Sequence, residues 1–597
     1  MSQYISASMR IPMIDIQFRD LSYEIHIGYR KQKKQILKNL DGLFKAGELT
    51  AIMGMSGAGK STLLNILSGF QQEGLTGRID YIGNKGKQHL NKHKKDSCYI
   101  QQMDHLYDLF TVQETMMIAA CLKIGNVTHV FRQMLTDNIL KTLNLMNTKN
   151  TRINRLSGGQ KKRLSIALEL IGNPPIMFLD EPTTGLDSLS TFQCISTLQT
   201  LAKNGRTIIC TIHQPSAAVY QMFDHIYLMV DGQCTYADTP ANTISYFARQ
   251  GFQCPQYHNP ADYILEVVCG EYGDCNSQLI TAAKHYCQRT VTPLKLRMFK
   301  EASFNERNAN ILSKIKPPSE MMKFIILLRR SMLLLYRDWT TIHLKVVIQF
   351  IIAILLGLTF NHVGDDGSKT MSNFGYLITS VMNVMYTTMI PTVLKFPLEL
   401  TILRKERFNN WYQLKTYYMA TLVTTLPLQI LFSFIYSSIS YVLTSQPMEW
   451  YRFFMFLLIL ALTSLISESV GLGLGVIFNV INGMFFGSTI LCMMLCLSGY
   501  MIFFSHMPVI LYYVSYINYY RHAFEGIVQA IYGFHREKLR CPSHIDYCHL
   551  RIPSMILQEL SMSKPMFWFD VTMLFAWFVI VRIIVYVLLK RKLSKLY

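Results

Sequence analysis

Apolar positions fall into two regimes along this chain of 597 residues. Up to about Pro318 they come in short runs separated by charged residues, glycines and polar loops, the texture of a soluble domain. Beyond Glu320 they gather into stretches of roughly 20 residues, the length that crosses a bilayer as one helix. In the first regime Leu49–Met53 reads as a buried strand that runs into glycine-rich Gly54–Ser61 and then the helical run Thr62–Leu67. Pro175–Leu179 reads as a second strand, ending in Asp180 and Glu181, and a helix is expected over Leu164–Ile171. Between the regimes, Glu320–Tyr336 sets Phe324, Leu327, Leu328, Leu334 and Leu335 against Lys323, Arg329 and Arg330. That is the pattern of an amphipathic helix at a membrane surface, or of the last helix of the first domain. Spans are predicted at Thr341–Phe360, Asn373–Leu394, Tyr417–Leu443, Phe453–Val480, Gly483–Phe504 and Trp568–Leu589. The chain is thus expected to divide into a cytosolic domain over 1–290, a linker and connecting helix over 291–337, and a six-helix membrane domain over 338–597.

Charge orients the spans. Basic clusters stand at Arg329, Arg330 and Arg337, along Lys395–Arg407, and at Lys590–Lys592, while the loops Asn361–Ser372 and Thr444–Arg452 are poor in Lys and Arg. By the positive-inside rule both termini are expected in the cytoplasm, which requires an even number of spans and puts the loop 505–567 outside. The formal net charge of +20 fits the same picture of Lys and Arg facing anionic lipid. No basic-aromatic stripe or nucleic-acid motif accompanies it, so no nucleic-acid partner is expected. With 50% apolar residues the whole is not an ordinary soluble enzyme. Met1–Asp20 lacks an apolar core followed by small residues, so no cleaved signal peptide is expected there.

Most of the 13 cysteines stand singly in the soluble half, as in a reducing compartment, and Cys98, Cys121, Cys194 and Cys210 show no metal-ligand spacing. Cys541 and Cys548 are the pair in the outer loop and suit a local disulfide in an oxidising exterior; the histidines near them do not complete a set of four metal ligands. Glu468 falls inside the fourth span, where an acid either meets substrate or makes a polar contact between helices. Glu525 lies where the outer loop would fold back into the membrane.

The chemistry concentrates in the soluble half. Gly54, Ser56, Gly57 and Gly59 let backbone N–H groups converge on phosphate oxygens at a helix N-terminus. Lys60 would neutralise the β- and γ-phosphates, the Ser61 hydroxyl would ligate Mg²⁺, and Thr62 continues the turn. Asp180 would hold Mg²⁺ through water, and Glu181 would orient or deprotonate the attacking water. Ser157 is a good N-cap, and Gly158 and Gly159 leave backbone N–H groups open to an anion before Gln160.

Leu156–Gln160 matches the signature loop of the ATP-binding cassette family, and Gly185–Ser188 and Thr211–Ser216 follow in that family's order. The resemblance implies that Asp187 contacts the nucleotide, that His213 senses the γ-phosphate, and that Gln102 rather than Gln101 approaches Mg²⁺ and water. It also makes Tyr23 the candidate to stack on adenine. In this family the signature of one cassette completes the ATP site of another, and this chain holds one of each, so it must dimerise.

With the cassette first and six spans after it, and with Asn259–Tyr263, Gly270–Asp274 and Asn409–Tyr412, the chain resembles the G subfamily, the White-type half transporters. It looks most like the branch that exports sterols and phospholipids. The implied fold is an α/β P-loop NTPase followed by an all-α six-helix membrane domain of the type-2 exporter kind. The implied partners are a second half transporter, identical or related, together with membrane lipids and a small lipophilic substrate. Tyr386 is nearest in register to the family's substrate-touching aromatic of span two. Tyr500 and Met501 follow Ser498-Gly499 where the family has paired leucines, and Glu468 replaces a neutral residue. The expected activity is ATP-driven export of lipid from a multi-pass protein of the plasma membrane, with an endosomal or vesicle membrane as the alternative. The rival readings are heterodimeric transport of tryptophan- or guanine-derived pigment precursors and, from another class, an ATP-gated regulator or channel.

Overall fold

Because all six residues of Leu49–Gly54 (β3) are buried, this strand needs cover on both faces, which is the condition of a parallel sheet inside an α/β domain. The structure is a computed structural model and describes residues 11–27, 32–83, 86–89, 97–125, 127–256, 258–273, 276–290, 317–541, 548 and 550–594. The stretch 291–316, Met1–Arg10, Asn126, Asp274 and the interior of the cysteine loop with His544 lie outside the described residues. Contacts divide the chain into one unit reaching to Ile326 together with Ile402–Gln413, and a second of Leu327–Thr401 with Leu414–Lys595.

In the first unit Ile14–Ile27 (β1), Gln32–Phe44 (β2), Leu75–Gly83 (β4) and Gly86–His89 (β5) form an antiparallel sheet in the order β2-β1-β4-β5. A second sheet runs β10-β9-β3-β8-β7-β6, with β6 Ser97–Ile100, β7 Ile176–Leu179, β8 Thr207–Thr211, β9 His225–Val230 and β10 Gln233–Asp238. All its pairs are parallel except β9 with β10. Helices α1 Lys60–Leu67, α2 Gly158–Leu170 and α3 Ser188–Lys203 accompany it. The carboxyl ends of β3, β6, β7 and β8 therefore lie along one edge, the usual place for a ligand crevice in an open α/β sheet. Tyr23 is buried at 7% exposure in the core with Phe18, Leu37, Phe44 and Tyr227.

The second unit is helical: α4 Glu320–Arg337, which the unit boundary divides, α5 Lys345–Thr359, α6 Thr370–Phe408, α7 Leu414–Leu443, α8 Trp450–Ile477, α9 Val480–Cys496, α10 Tyr519–Tyr532 and α11 Phe567–Ser594. Among the described residues, five helices are long and apolar enough to cross a membrane: α5 with the turn before it, α6, α7, α8 and α11. The sixth apolar helix, α9, is shorter, about 26 Å at ~1.5 Å per residue. Where a fifth span is expected over Gly483–Phe504, the helix runs Val480–Cys496. The helix stops at Cys496 because Gly499 turns the chain at φ +87°, where a Cβ would fall 2.3 Å from the Phe504 ring. The helix at the expected fourth span ends at Ile477, where Phe478 becomes extended. At 39 residues, α6 is about 58 Å long, well beyond the ~30 Å hydrocarbon core, and its last residues belong to the first unit.

Within the stretch 505–567, every residue of α10 is buried, and the helix packs between α8 and α11. His522 Nδ1 lies 2.9 Å from Asp570 Oδ1 and ties it to α11. Cys541 and Cys548 are joined by a disulfide. Glu468 lies inside the helical unit. It is buried on α8, and Arg582 of α11 donates from Nη2 to its Oε2 at 2.7 Å, a polar contact between helices, one of the two readings of this acid. An unpaired carboxylate there would be costly, and the arginine removes that cost.

Candidate nucleotide site

The loop after β3 is shaped by glycines that no other residue could replace. Gly54 has φ +146°, with the Met229 carbonyl oxygen 2.2 Å from where a Cβ would stand, and Gly59 has φ +94° with Leu37 at 2.8 Å. The loop delivers Lys60 and Ser61 to the first turn of α1. Lys60 is buried, and its Nζ donates to the carbonyls of Gly54 and Met55, both at 2.8 Å. Burial lowers its pKa, while the charges of Glu181 and Asp180 push it back up, so its ammonium is matched to anions.

Asp180 gathers three hydroxyl groups. Its Oδ1 accepts from Ser61 Oγ at 2.9 Å and from Thr211 Oγ1 at 2.8 Å, and its Oδ2 accepts from Tyr99 at 3.2 Å. Glu181 follows with φ +43°, a left-handed conformation costly for a non-glycine residue, and its N–H donates to Thr211 Oγ1 at 2.8 Å. Its Oε2 accepts from Gln102 Nε2 at 2.6 Å and from Thr184 Oγ1 at 2.9 Å. A cavity of about 520 Å³ joins Ser56, Gly57, Gly59, Lys60, Ser61, Thr62, Glu181 and His213. Ser61 Oγ and Asp180 Oδ1, 2.9 Å apart, offer hydroxyl and carboxylate oxygens, the hard donors that fit Mg²⁺.

The far end of the cavity is lined by Ile25, Lys34, Gln35, Ile36 and Lys38. Tyr23 is not among its walls. The ring, expected to stack on adenine, packs instead in the core cluster with Phe18 and Phe44. The signature residues are not brought to this cavity either. Ser157 and Gln160 cap each other at the start of α2, with Ser157 Oγ accepting from the Gln160 N–H at 3.3 Å and Gln160 Oε1 from the Ser157 N–H at 3.0 Å. Ser157 and Gly158 are exposed, and Gly159 is buried with its Cβ position 2.8 Å from Ser190. Asp187 caps α3 by accepting from the Ser190 N–H at 3.3 Å.

One functional tie was not legible in the motifs. Lys162, 1% exposed on α2, donates to the carbonyls of Gln101 and Gln102 at 3.2 and 2.7 Å and pairs with Asp104. It binds the signature helix to the glutamine segment. Its position inside a basic triplet hid it, since such triplets are usually solvated. Of the residues expected near substrate, Tyr386 on α6 is half exposed and Met501 is exposed, while Tyr500 packs edge-on against Phe524 with centroids 5.9 Å apart.

Residues 37–184 match the ABC transporter family, and 322–532 and 213–285 match two ABC-2 type transporter families. The chain therefore belongs to the ABC transporters, as a transporter ATPase whose cassette precedes an ABC-2 membrane domain in one multi-pass membrane protein. Its relatives include ABC transporter G family members and the proteins white and scarlet. ABC transporter G family member 7 of Arabidopsis thaliana is 28% identical over 536 residues, covering 86% of this chain and 73% of that protein. Protein white of Drosophila melanogaster is 27% identical over 522 residues, covering 83% of this chain and 74% of that one. A solved dimeric ATP-binding cassette in a post-hydrolysis state with ADP and phosphate is 27% identical, at a TM-score of 0.33, over 38% of this chain and 98% of that one.

Proposed function

We propose that two copies of this chain, or this chain and a related one, form an ATP-hydrolysing exporter of lipid, with sterol or phospholipid as substrate, in the plasma membrane with both termini cytoplasmic. The observation that carries the dimer is the separation of the two halves of the chemistry. The cavity is built on Lys60, Ser61, Glu181 and His213, while Ser157 and Gly158 stand exposed on α2 and outside it. A second chain can supply its signature to this cavity. In that arrangement Glu181 takes the proton of the attacking water, with Gln102 holding its carboxylate. Lys60 and the loop N–H groups carry the phosphate charge, and His213 and Asp187 respond to the γ-phosphate. Ser61, Asp180 and Gln102 would hold Mg²⁺, which supplies charge neutralisation to the phosphates when bound.

The lipid reading is supported by apolar side chains left open on α6 and α9, among them Met382, Tyr386, Phe485 and Met493. An amphiphile entering from the bilayer would meet these rather than a polar wall. The test is the purified protein in liposomes of defined composition, with phosphate release measured as sterols and phospholipids are added. Stimulation by these supports lipid export. Stimulation by tryptophan or guanine derivatives with none by lipid overturns it in favour of pigment precursors, and ionic current without turnover overturns it in favour of a channel.

A further inference from the structure

Strand β6 is the outer strand of its sheet, with β7 on one side. On that paired side the Ile100 carbonyl accepts the N–H of Asp180 at 2.9 Å, so the backbone of Asp180 hangs from β6. On the opposite side, Tyr99 turns its own N–H and C=O outward, the groups that leave a sheet edge unpaired. One side chain satisfies both. The Tyr99 N–H donates to Asn409 Oδ1 at 3.0 Å, and Asn409 Nδ2 donates to the Tyr99 carbonyl at 3.1 Å, copying a single rung of a neighbouring strand. Asn409 follows the last helical residue of α6 and belongs to the same unit as β6.

The Tyr99 ring is held as firmly as its backbone. It stacks on Phe70 with centroids 5.4 Å apart and meets Phe408 edge-on at 5.8 Å. Arg404 lies 4.9 Å over the Phe70 ring, and Lys405 donates to Ser165 Oγ at 3.3 Å. From this pocket the phenol reaches the second oxygen of Asp180, the one that neither Ser61 nor Thr211 engages.

We propose that Tyr99 is a positioning residue of the ATPase site: its hydroxyl fixes the Mg²⁺-holding carboxylate of Asp180, and Asn409 fixes Tyr99, so that residues 402–413 set the metal affinity of the site. The path is distinct from the one through Gln102, which touches Glu181 rather than Asp180. It rests on the reading of Asp180 as the Mg²⁺ carboxylate. A group that orients a metal ligand typically changes metal affinity by about tenfold or more when removed.

The test uses the full-length protein in lipid nanodiscs. Tyr99→Phe keeps the ring on Phe70 and removes only the hydroxyl. It should raise the Mg²⁺ concentration for half-maximal ATPase about tenfold, with kcat at saturating Mg²⁺ little changed. In a Glu181→Gln background, Mn²⁺ binding in the presence of ATP, read by electron paramagnetic resonance, should weaken by a similar factor. Binding of a fluorescent ATP analogue in EDTA should not change. Asn409→Ala should shift both metal readouts in the same direction. A Mg²⁺ response of Tyr99→Phe superimposable on that of the unaltered protein overturns the proposal. So does an equal loss of nucleotide binding with and without metal, which would mark a structural role. An Asn409→Ala protein with unaltered metal readouts overturns the part assigned to 402–413. If Asp180→Asn keeps the full Mg²⁺ response, the reading of Asp180 falls first and the proposal falls with it.

Discussion

At the scale of the residue, Thr211 shows how little of a site is its motif. One hydroxyl accepts the strained Glu181 N–H and donates to Asp180, so it spans the two carboxylates. Thr211→Val keeps the shape and leaves the half-buried Glu181 N–H without this partner, which costs up to ~1–3 kcal/mol. We expect a lower melting temperature and a fall in kcat on the order of tenfold, since ~1.4 kcal/mol of lost placement is a factor of ten. Glu181→Gln should instead abolish phosphate release while a fluorescent ATP analogue still binds. Unchanged release would remove the proton-accepting role from Glu181. These carboxylates were legible because a strand ending in two acids beside a phosphate loop has few other uses. Thr211 was not singled out, because a threonine closing a β-strand is what β-propensity alone would put there.

At the scale of the element, α8 and α11 are joined inside the membrane half by Glu468 and Arg582, residues 114 apart in sequence. Arg582→Ala leaves a buried carboxylate without its cation, a loss of ~3–5 kcal/mol. The protein should melt earlier in detergent, and pairing it with Glu468→Gln should recover most of the loss. If the double variant is as unstable as the single one, the ion pair is not what holds the helices. Hydropathy located the helices well because length and apolarity are local properties. It could not show which polar side chains meet, nor that α9 ends at a glycine turn, because both depend on the neighbour a residue finds in space. The same limit hid the burial of Tyr23, whose side is set by strand pairing with β2 and β4.

At the scale of the whole molecule, the exposed signature predicts complementation between chains. A Lys60→Ala chain and a Ser157→Arg chain should each be inactive alone. Co-expressed, they place both defects in one of the two composite sites and leave the other intact. Phosphate release by the purified mixture should recover to a substantial fraction of normal, and no recovery would mean that sites are not shared between chains. Order along the sequence made the cassette readable from its motifs. The membrane half offered no comparable short motif, because lipid asks for apolarity and length while leaving many side-chain identities open.

The Cys541–Cys548 bond gives the chain a chemical polarity that charge alone does not. Nine cysteines among the described residues remain thiols, including buried Cys98, Cys194 and Cys210 of the cassette. A thiol and a disulfide persist in opposite redox environments. On the proposed orientation, one polypeptide therefore matures under two electron supplies at once, one on each face of the bilayer. A reductant that cannot cross the membrane should open the outer ring and leave the cassette's ATPase chemistry untouched, so the redox state of one loop reports which way the protein was inserted.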